Sequence, residues 1–241
     1  MYCGRSGTGP FLTILLLCFW LVDLPSASAN DYGWTEDKIG KLAVKADKAA
    51  RKKRWNQAIH YGEKALEGSK VLYPEYSPLY INRLKTLNRY YDRANRLPEV
   101  SDHVKKAFRL SSAHLGPDHA TSKVSRLLYY KLLLAEKDYP AAILLVKDTL
   151  ARLGESDDDQ FKRLHYLGQL YSFYGLTNQF ELEEQTIRER LALNSLMVGE
   201  GLENNSDILL DLAKNLCTQK KYLEHDALVK VWGTNFICLR N

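Results

Sequence analysis

Strand-forming residues are scarce in this chain, and the common catalytic signatures are absent from it. Val, Ile and Thr are few, and apolar and polar residues nowhere alternate with the period of two that a half-buried strand shows. There is no G-x-S-x-G, Walker loop, H-E-x-x-H or C-x-x-C motif. His114, Asp118 and His119 lie close together, but they lack the spacing of a closed metal site. We therefore expect neither an enzyme nor a bound metal or cofactor.

The chain also lacks a second apolar run and has no run long enough to cross a membrane. Its longest apolar stretch, residues 11–22, has about 12 residues, whereas a spanning helix needs about 20. That stretch follows one basic residue, Arg5, and precedes the small residues of 27–29. Because this order is typical of a secretory signal peptide, we predict that residues 1–29 are cleaved and that the protein is exported, to the periplasm or outside the cell. An uncleaved anchor is the alternative.

Cysteines are few, and only Cys217 and Cys238 follow the predicted cleavage point. Export permits a disulfide between them. Cys217 precedes a predicted turn and Cys238 lies about 16 residues beyond it, which separates the two by about 18 Å in a straight antiparallel helix pair. A disulfide needs Cα atoms within about 7 Å. The bond can therefore form only if the chain doubles back after Gly233, and the sequence leaves this open.

Charge is distributed unevenly along the mature chain. Residues 30–154 carry 24 Lys and Arg against 14 Asp and Glu, whereas residues 155–241 carry 9 against 14. Such asymmetry bears on partners and association rather than on the fold. Nucleic acid is not an expected partner, because the chain is predicted to be exported and no aromatic stacking platform accompanies the positive charge.

Helix-forming sequence dominates from Trp34 onward. Leu, Ala, Lys, Arg and Glu fill the periodic stretches, and Gly or Pro ends them at regular places. Each unit between these breaks holds two amphipathic helices, which the pattern places at residues 163–175 and 180–197 in the fourth unit, and at 208–217 and 222–232 in the fifth. The predicted N-cap residues are Ser77, Asp159 and Ser206.

A large residue with an apolar body recurs along the chain with gaps of 42, 42, 41 and 42 residues. These residues are Trp55, Leu97, Tyr139, Phe180 and Tyr222. A fixed period in this range is the signature of a repeat array. A helical hairpin cannot bury its apolar face alone, so consecutive hairpins are expected to stack.

The units resemble tetratricopeptide repeats of the 42-residue kind found in kinesin light chains. The resemblance rests on a turn aromatic with Ala three and ten positions later, as in Trp55, Ala58 and Ala65, and on the Leu-Gly-Pro-Asp-His segment at 115–119. It covers residues 35–232, between an N-terminal linker at 30–34 and a C-terminal tail at 233–241. It implies an all-α, right-handed α-α superhelix, a TPR-like solenoid of about five helical hairpins. The chain departs from the family pattern where Ala is usual, at Val100, Glu183 and His225.

In this family, the first helix of each pair lines a concave groove that binds peptides. Aligning the units on Leu97 places eight residues in this groove, and we take them as the predicted partner-binding residues. They are Asn82, Lys85, Arg89, Asp92, Arg93, Lys131, His165 and Lys214. Fixed cations in a groove suit a carboxylate or an acidic peptide segment. An ordinary exposed helix face is the alternative.

Five helical pairs without a catalytic set favour an exported, non-enzymatic scaffold that binds a partner peptide or protein in its concave groove. No stable membrane insertion is expected after signal cleavage. The alternative is an enzyme or a small-ligand-binding protein with a pocket between repeats, around His165, Tyr166 and Tyr171. A closed pocket with convergent polar groups would favour that alternative. Asn204 begins an Asn-Asn-Ser glycosylation sequence in a predicted loop.

Overall fold

The computed structural model describes residues 33–233 and 236–238, in which ten α-helices and one 3₁₀ helix follow one another without a strand. The predicted signal peptide lies outside the described residues. The helices are α1 (Glu36–Arg51), α2 (Trp55–Leu72), α3 (Pro78–Arg93), the 3₁₀ helix η1 (Leu97–Val100), α4 (Ser101–His114), α5 (Ala120–Glu136), α6 (Tyr139–Leu150), α7 (Asp157–Leu176), α8 (Phe180–Val198), α9 (Leu202–Thr218) and α10 (Tyr222–Trp232). Within this described part, no helix has the length and apolar content that a membrane span requires.

The helices form five antiparallel hairpins, and each helix packs mainly against its neighbours in sequence. The core is accordingly a row of apolar clusters along the stack instead of one central cluster. This is how a solenoid buries apolar surface, because every hairpin covers the exposed face of the one before it. The predicted all-α solenoid of helical hairpins is confirmed.

Each hairpin turns between its two helices through the same backbone geometry, which we call the inner turn. The first helix ends at a residue in the left-handed region, and none of the five such residues is glycine: Lys53, Asn95, Lys137, Asn178 and Lys220. The next N–H donates to a carbonyl five positions back, from Arg54 to Ala49 at 3.0 Å and from Lys221 to Leu216 at 2.9 Å. This is the Schellman pattern of helix ends. The large apolar residues of the 42-residue period then begin the second element of each hairpin.

Close approach of the two helices explains the small residue three positions after the turn aromatic. Ala58 and Ala142 are completely buried. Where the chain places Glu183 instead, the facing residue is Gly175, and a Cβ there would lie 2.9 Å from Oε1 of Glu183. The large side chain of Glu183 therefore fits in this position because the facing residue, Gly175, has no side chain.

Two predicted N-caps are wrong, and the third is confirmed. Ser77 accepts a hydrogen bond from the N–H of Tyr80 at 3.2 Å. Helix α7 is capped by Ser156, whose Oγ accepts from the N–H of Asp159 at 3.2 Å. Asp159 thus belongs to a first turn with three aspartates, where negative charge is favourable at the positive end of the helix dipole.

Helix α9 likewise begins earlier than predicted, with Gly201 as its N-cap in place of Ser206. Asn205 is buried there, and its amide donates to the carbonyls of Gly199 and Gly201. Asn204 therefore lies in a helix and not in a loop, and its amide donates to the carbonyl of Val198 at 2.8 Å. Three of the first four residues of α9 and all four of α7 are polar, so apolar periodicity does not reveal these helix starts.

The fourth and fifth hairpins are joined by the buried carboxylate of Glu184 on α8. This group accepts hydrogen bonds from Nζ of Lys221 and Nε2 of Gln219, each at 2.7 Å, and from Nε of Arg188 at 3.0 Å. Burial alone would raise the pKa of this carboxyl. The hydrogen bonds outweigh burial, so the pKa of Glu184 lies below its ordinary value.

Replacing Lys137 by glycine should stabilise the protein, because the left-handed region costs a residue with a Cβ about 1 kcal/mol or more and costs glycine nothing. Glycine's greater conformational freedom in the unfolded chain offsets part of this stabilisation, so Lys137→Gly should raise the free energy of unfolding by up to about 1 kcal/mol. Urea denaturation measures this free energy. The matched control, Lys64→Gly inside α2, should lower the same quantity by about 1 kcal/mol. Equal destabilisation by the two variants would contradict the inner-turn geometry.

Glu184→Gln should lower the free energy of unfolding by about 2 kcal/mol at neutral pH, because it weakens charge-assisted hydrogen bonds. Since the pKa of Glu184 is depressed in the folded state, its stabilisation is complete above the unfolded pKa, about 4.3, and is lost as pH falls through the folded pKa. Urea denaturation between neutral and acidic pH should show the difference between wild type and variant closing. Glu189→Gln, an exposed change on the same helix, should leave the free energy of unfolding equal to that of wild type. If Glu184→Gln lowers the free energy of unfolding by the same amount at every pH, this role of Glu184 is refuted.

Candidate functional site

The first helices of neighbouring hairpins are joined by hydrogen bonds to aspartates. Tyr90 of α3 donates to Oδ1 of Asp47 on α1 at 2.5 Å. Nζ of Lys131 on α5 donates to both carboxylate oxygens of Asp92 on α3, at 2.9 and 3.0 Å. Tyr171 of α7 donates to Oδ2 of Asp211 on α9 at 2.6 Å. Among the described residues no such bond joins α5 to α7, which meet instead through apolar contacts, with the ring centroids of Tyr130 and Phe173 6.2 Å apart.

These contacts assign a structural part to several side chains of the predicted groove. Asp92 and Lys131 are brought together as partners, so neither is fully available to a ligand. Burial, and next the hydrogen bond to Asp211, raises the pKa of Tyr171 to about 12. The Tyr171 hydroxyl is therefore a permanent donor at neutral pH. Lys214 lies near Asp211 as well, with 3.7 Å between Nζ and Oδ1.

A second group of predicted residues forms what we call the α3 basic face: Lys85, Arg89 and Arg93. Their spacing on α3 places them along one side of the helix, with Asn82 at the next turn. Arg89 and Arg93 are exposed, and none of the three cations forms an ion pair with any residue that the structure describes. Burial, followed by the positive charge of Arg89, lowers the pKa of Lys85. The carboxylate of Asp47 acts against both effects without forming an ion pair, so it offsets the positive charge of the α3 basic face only in part.

A cleft of about 600 Å³ is lined by residues of α5 and α7, with α6 contributing to its wall; we call it the α5–α7 cleft. Its apolar and aromatic lining comes from Leu127, Leu145, Val146, Leu153, Tyr130 and Tyr166. His165 lines it too, and its Nε2 lies 2.8 Å from Nε2 of Gln169. The amide oxygen of Gln169 is buried and has no hydrogen-bond partner within the described segment. The cleft therefore combines an apolar interior with an unsatisfied acceptor.

The cations around this cleft are already paired, unlike those of α3. Arg126 donates to Oγ1 of Thr149 at 2.8 Å and also to the carboxylate of Asp148. Asp148 receives Arg152 as well, and hydrogen bonds from Arg152 first and Arg126 next hold its pKa below the ordinary value. Lys162 pairs with the aspartates that open α7. The cleft rim is consequently polar but close to electrically balanced.

The alternative site predicted around His165, Tyr166 and Tyr171 is only partly assembled. His165 and Tyr166 line the α5–α7 cleft, with ring centroids 5.6 Å apart. Tyr171 does not line it, because its hydroxyl is held by Asp211 on α9. Sequence reasoning missed the cleft itself, since its lining combines α5, α6, α7 and two inter-repeat segments that no single motif connects.

At the C-terminal end, Cys217 and Cys238 are joined by a disulfide with Cα atoms 5.6 Å apart. Gly233 ends α10 in the left-handed region, at φ 64°, and the chain turns back there. The straight-helix separation of the sequence estimate does not apply after this reversal. Phe236 then lies against His225, with ring centroids 5.9 Å apart.

Comparison with known proteins agrees with this architecture. A crystal structure of TPR-like repeats assigned to a kinesin light chain of Podosopora anserina matches with a TM-score of 0.55 and 13% identity, over 80% of this chain and 92% of that one. A substituted form of the same repeats matches with a TM-score of 0.54 at the same identity and coverage. At this identity the likeness shows the fold alone, and it confirms the predicted TPR-like repeats. No family model and no curated protein matches the chain.

Removing the hydroxyl of Tyr171 should destabilise the stack of hairpins. Tyr171→Phe keeps the ring, over which Arg190 lies at 5.7 Å, and leaves Asp211 without its donor. We expect the free energy of unfolding to fall by about 1 kcal/mol, as for a typical lost hydrogen bond. Tyr166→Phe is the matched control, and it should change the unfolding free energy by less than about 0.5 kcal/mol. Equal values for the two variants, measured by urea denaturation, would exclude the proposed joint between α7 and α9.

Proposed function

We propose that this protein is an exported, non-enzymatic scaffold whose concave groove binds an acidic segment of a protein partner. The single observation that carries the proposal is the α3 basic face. Two arginines and a half-buried lysine lie there without an ion pair to any described carboxylate, whereas the arginines of the α5–α7 cleft are paired. Charge of one sign on a groove attracts a partner of the opposite sign. TPR-like repeats usually present such surfaces to other proteins.

The groove offers a route for an extended segment beyond the charged helix. From α3 the row of first helices leads to α5 and then to the α5–α7 cleft, where Leu127 is 53% exposed beside Tyr130. An acidic segment with an apolar anchor residue would place its carboxylates on α3 and its anchor in the cleft. The guanidinium groups of α3 suit the contact with these carboxylates, because a guanidinium binds a carboxylate with two parallel hydrogen bonds.

Export is proposed from the sequence of residues 1–29, and a disulfide within the mature chain is consistent with an oxidising compartment. A second function, binding of a small ligand, is favoured by one specific observation. The α5–α7 cleft has a volume in the range of ligand pockets and contains the buried, unpaired amide oxygen of Gln169.

Charge reversal on the α3 basic face tests the proposal. The double variant Lys85→Glu with Arg89→Glu should weaken binding of a fluorescent peptide of alternating Glu and Tyr by at least about tenfold, because attraction becomes repulsion. Fluorescence anisotropy over a range of salt concentrations measures this, and wild-type binding should weaken as salt rises. The same variant should lose the proteins that wild type captures from its native host, identified by mass spectrometry.

The control reverses two exposed lysines on second helices, Lys64→Glu with Lys147→Glu. It changes the net charge equally, so binding that falls by the same factor in both variants would reflect net charge alone and would refute the groove assignment. Circular dichroism of each variant shows whether the helices are intact. If binding depends on Gln169→Leu but not on the α3 reversal, the small-ligand alternative is the better description.

A further inference from the structure

The features that depart from the repeat pattern at the end of the chain come together at one place. His225 occupies the position where the repeat usually has Ala, and Cys217 faces it from the first helix of the same hairpin. The tail after Gly233 leaves the pattern altogether and brings Cys238 to the same point. The two sulfurs and one ring nitrogen of His225 all lie within 4.8 Å of one another. Repeat packing requires none of these three side chains.

The position of Cys217 and His225 relative to each other follows from the hairpin itself. In the fourth unit, the equivalent residues are Gly175 and Glu183, which also face each other at close range. The hairpin alone therefore places a sulfur and an imidazole opposite each other, within 4.8 Å. Only the third group, Cys238, depends on the reversal of the chain at Gly233.

The imidazole of His225 is buried without being satisfied. Its side chain is 4% exposed, and its Nε2 has no hydrogen-bond partner in the described part of the chain. Its Nδ1 lies 3.1 Å from Oδ1 of Asp226. A proton on Nδ1 therefore donates to that carboxylate and leaves a lone pair on Nε2. Histidines that bind metals commonly have this arrangement, in which a carboxylate fixes the tautomer and makes the other nitrogen a better ligand.

We propose that the reduced form of this cluster is a zinc site, in which the thiolates of Cys217 and Cys238 and the imidazole of His225 bind one Zn²⁺. Two sulfurs and one nitrogen are a donor set that Zn²⁺ prefers, and water completes the four ligands of a tetrahedral ion. Zn–S bonds of about 2.3 Å place two sulfurs about 3.8 Å apart in that geometry, so the ion requires the disulfide to be open.

The disulfide and the ion are alternative links between the tail and the last hairpin. Opening the disulfide takes two electrons and two protons, supplied by a dithiol that becomes a cyclic disulfide. Binding of Zn²⁺ as a dithiolate then releases the two protons to solvent. In both states Cys238 is held against α9 and α10. The tail thus covers the end of the stack under oxidising conditions through a covalent bond and under reducing conditions through the metal.

Zinc titration of the purified mature chain tests the proposal. Protein reduced with a non-coordinating phosphine under anaerobic conditions should remove one equivalent of Zn²⁺ from a chromophoric chelator, and air-oxidised protein should remove none. With Co²⁺ as the probe, the reduced protein should show sulfur-to-metal charge-transfer bands and the intense d–d bands of a tetrahedral site. Equal uptake by the reduced and the oxidised protein, or no uptake by either, would overturn the proposal.

Variants separate this site from adventitious thiol binding. His225→Ala introduces the residue usual at this position of the repeat, and it should weaken zinc binding by at least about tenfold. Formation of the disulfide in oxidised His225→Ala would show that the tail still reaches Cys217. Cys238→Ser lies outside the helices and should also abolish the Co²⁺ spectrum. Unchanged affinity in either variant would refute the three-residue site.

Discussion

An amphipathic hairpin that cannot bury its own apolar face is the constraint on which the rest of the structure depends. Because one hairpin leaves a face uncovered, a second must stack on it, and the repetition continues until something other than a hairpin covers each end. The first end is covered by Trp34, which packs against Gly68 and Ile39 so closely that a Cβ on Gly68 would lie 2.6 Å from its ring. The other end is covered by the returning tail, with Phe236 and Cys238.

Stacking also determines where ligands can bind. Three pairs of first helices are joined through Asp47, Asp92 and Asp211. Helices α5 and α7 meet through the apolar contact of Tyr130 with Phe173 instead, and a cleft opens beside that contact. The same aspartates explain why a groove inferred from helix position contains both binding candidates and structural groups. Lys131 is predicted to line the groove, and its ammonium group is bound to Asp92.

Much of the fold was predictable because the inner turn recurs with every unit. The period of Trp55, Leu97, Tyr139, Phe180 and Tyr222 marks the first residue of each second element, and the predicted bounds of α10 agree with the structure. The starts of α7 and α9 were not predictable from apolar periodicity, because their first turns carry polar residues such as Asp157 and Asn205. The helix dipole and side-chain hydrogen bonds decide where these two helices begin. Nor could the sequence reveal the cluster of Cys217, His225 and Cys238. Two of these residues face each other through helix packing, and the third arrives only through the left-handed turn at Gly233.

The charges of the groove indicate which of its parts is structural and which is free for a ligand. Arg126, on the first helix α5, is held by the carboxylate of Asp148. On α3 no such ion pair forms: burial, and next the repulsion of Arg89, lower the pKa of Lys85, while the carboxylate of Asp47 acts in the opposite direction. An anion placed beside Arg89 would offset the repulsion between the two cations and would also attract both directly. A neutral ligand in the α5–α7 cleft gains no such relief, because the cleft's cations are already neutralised by Asp148 and the aspartates of α7. Unpaired positive charge and apolar surface therefore lie at different places, on α3 and in the α5–α7 cleft, and the proposed acidic segment with an apolar anchor would use both.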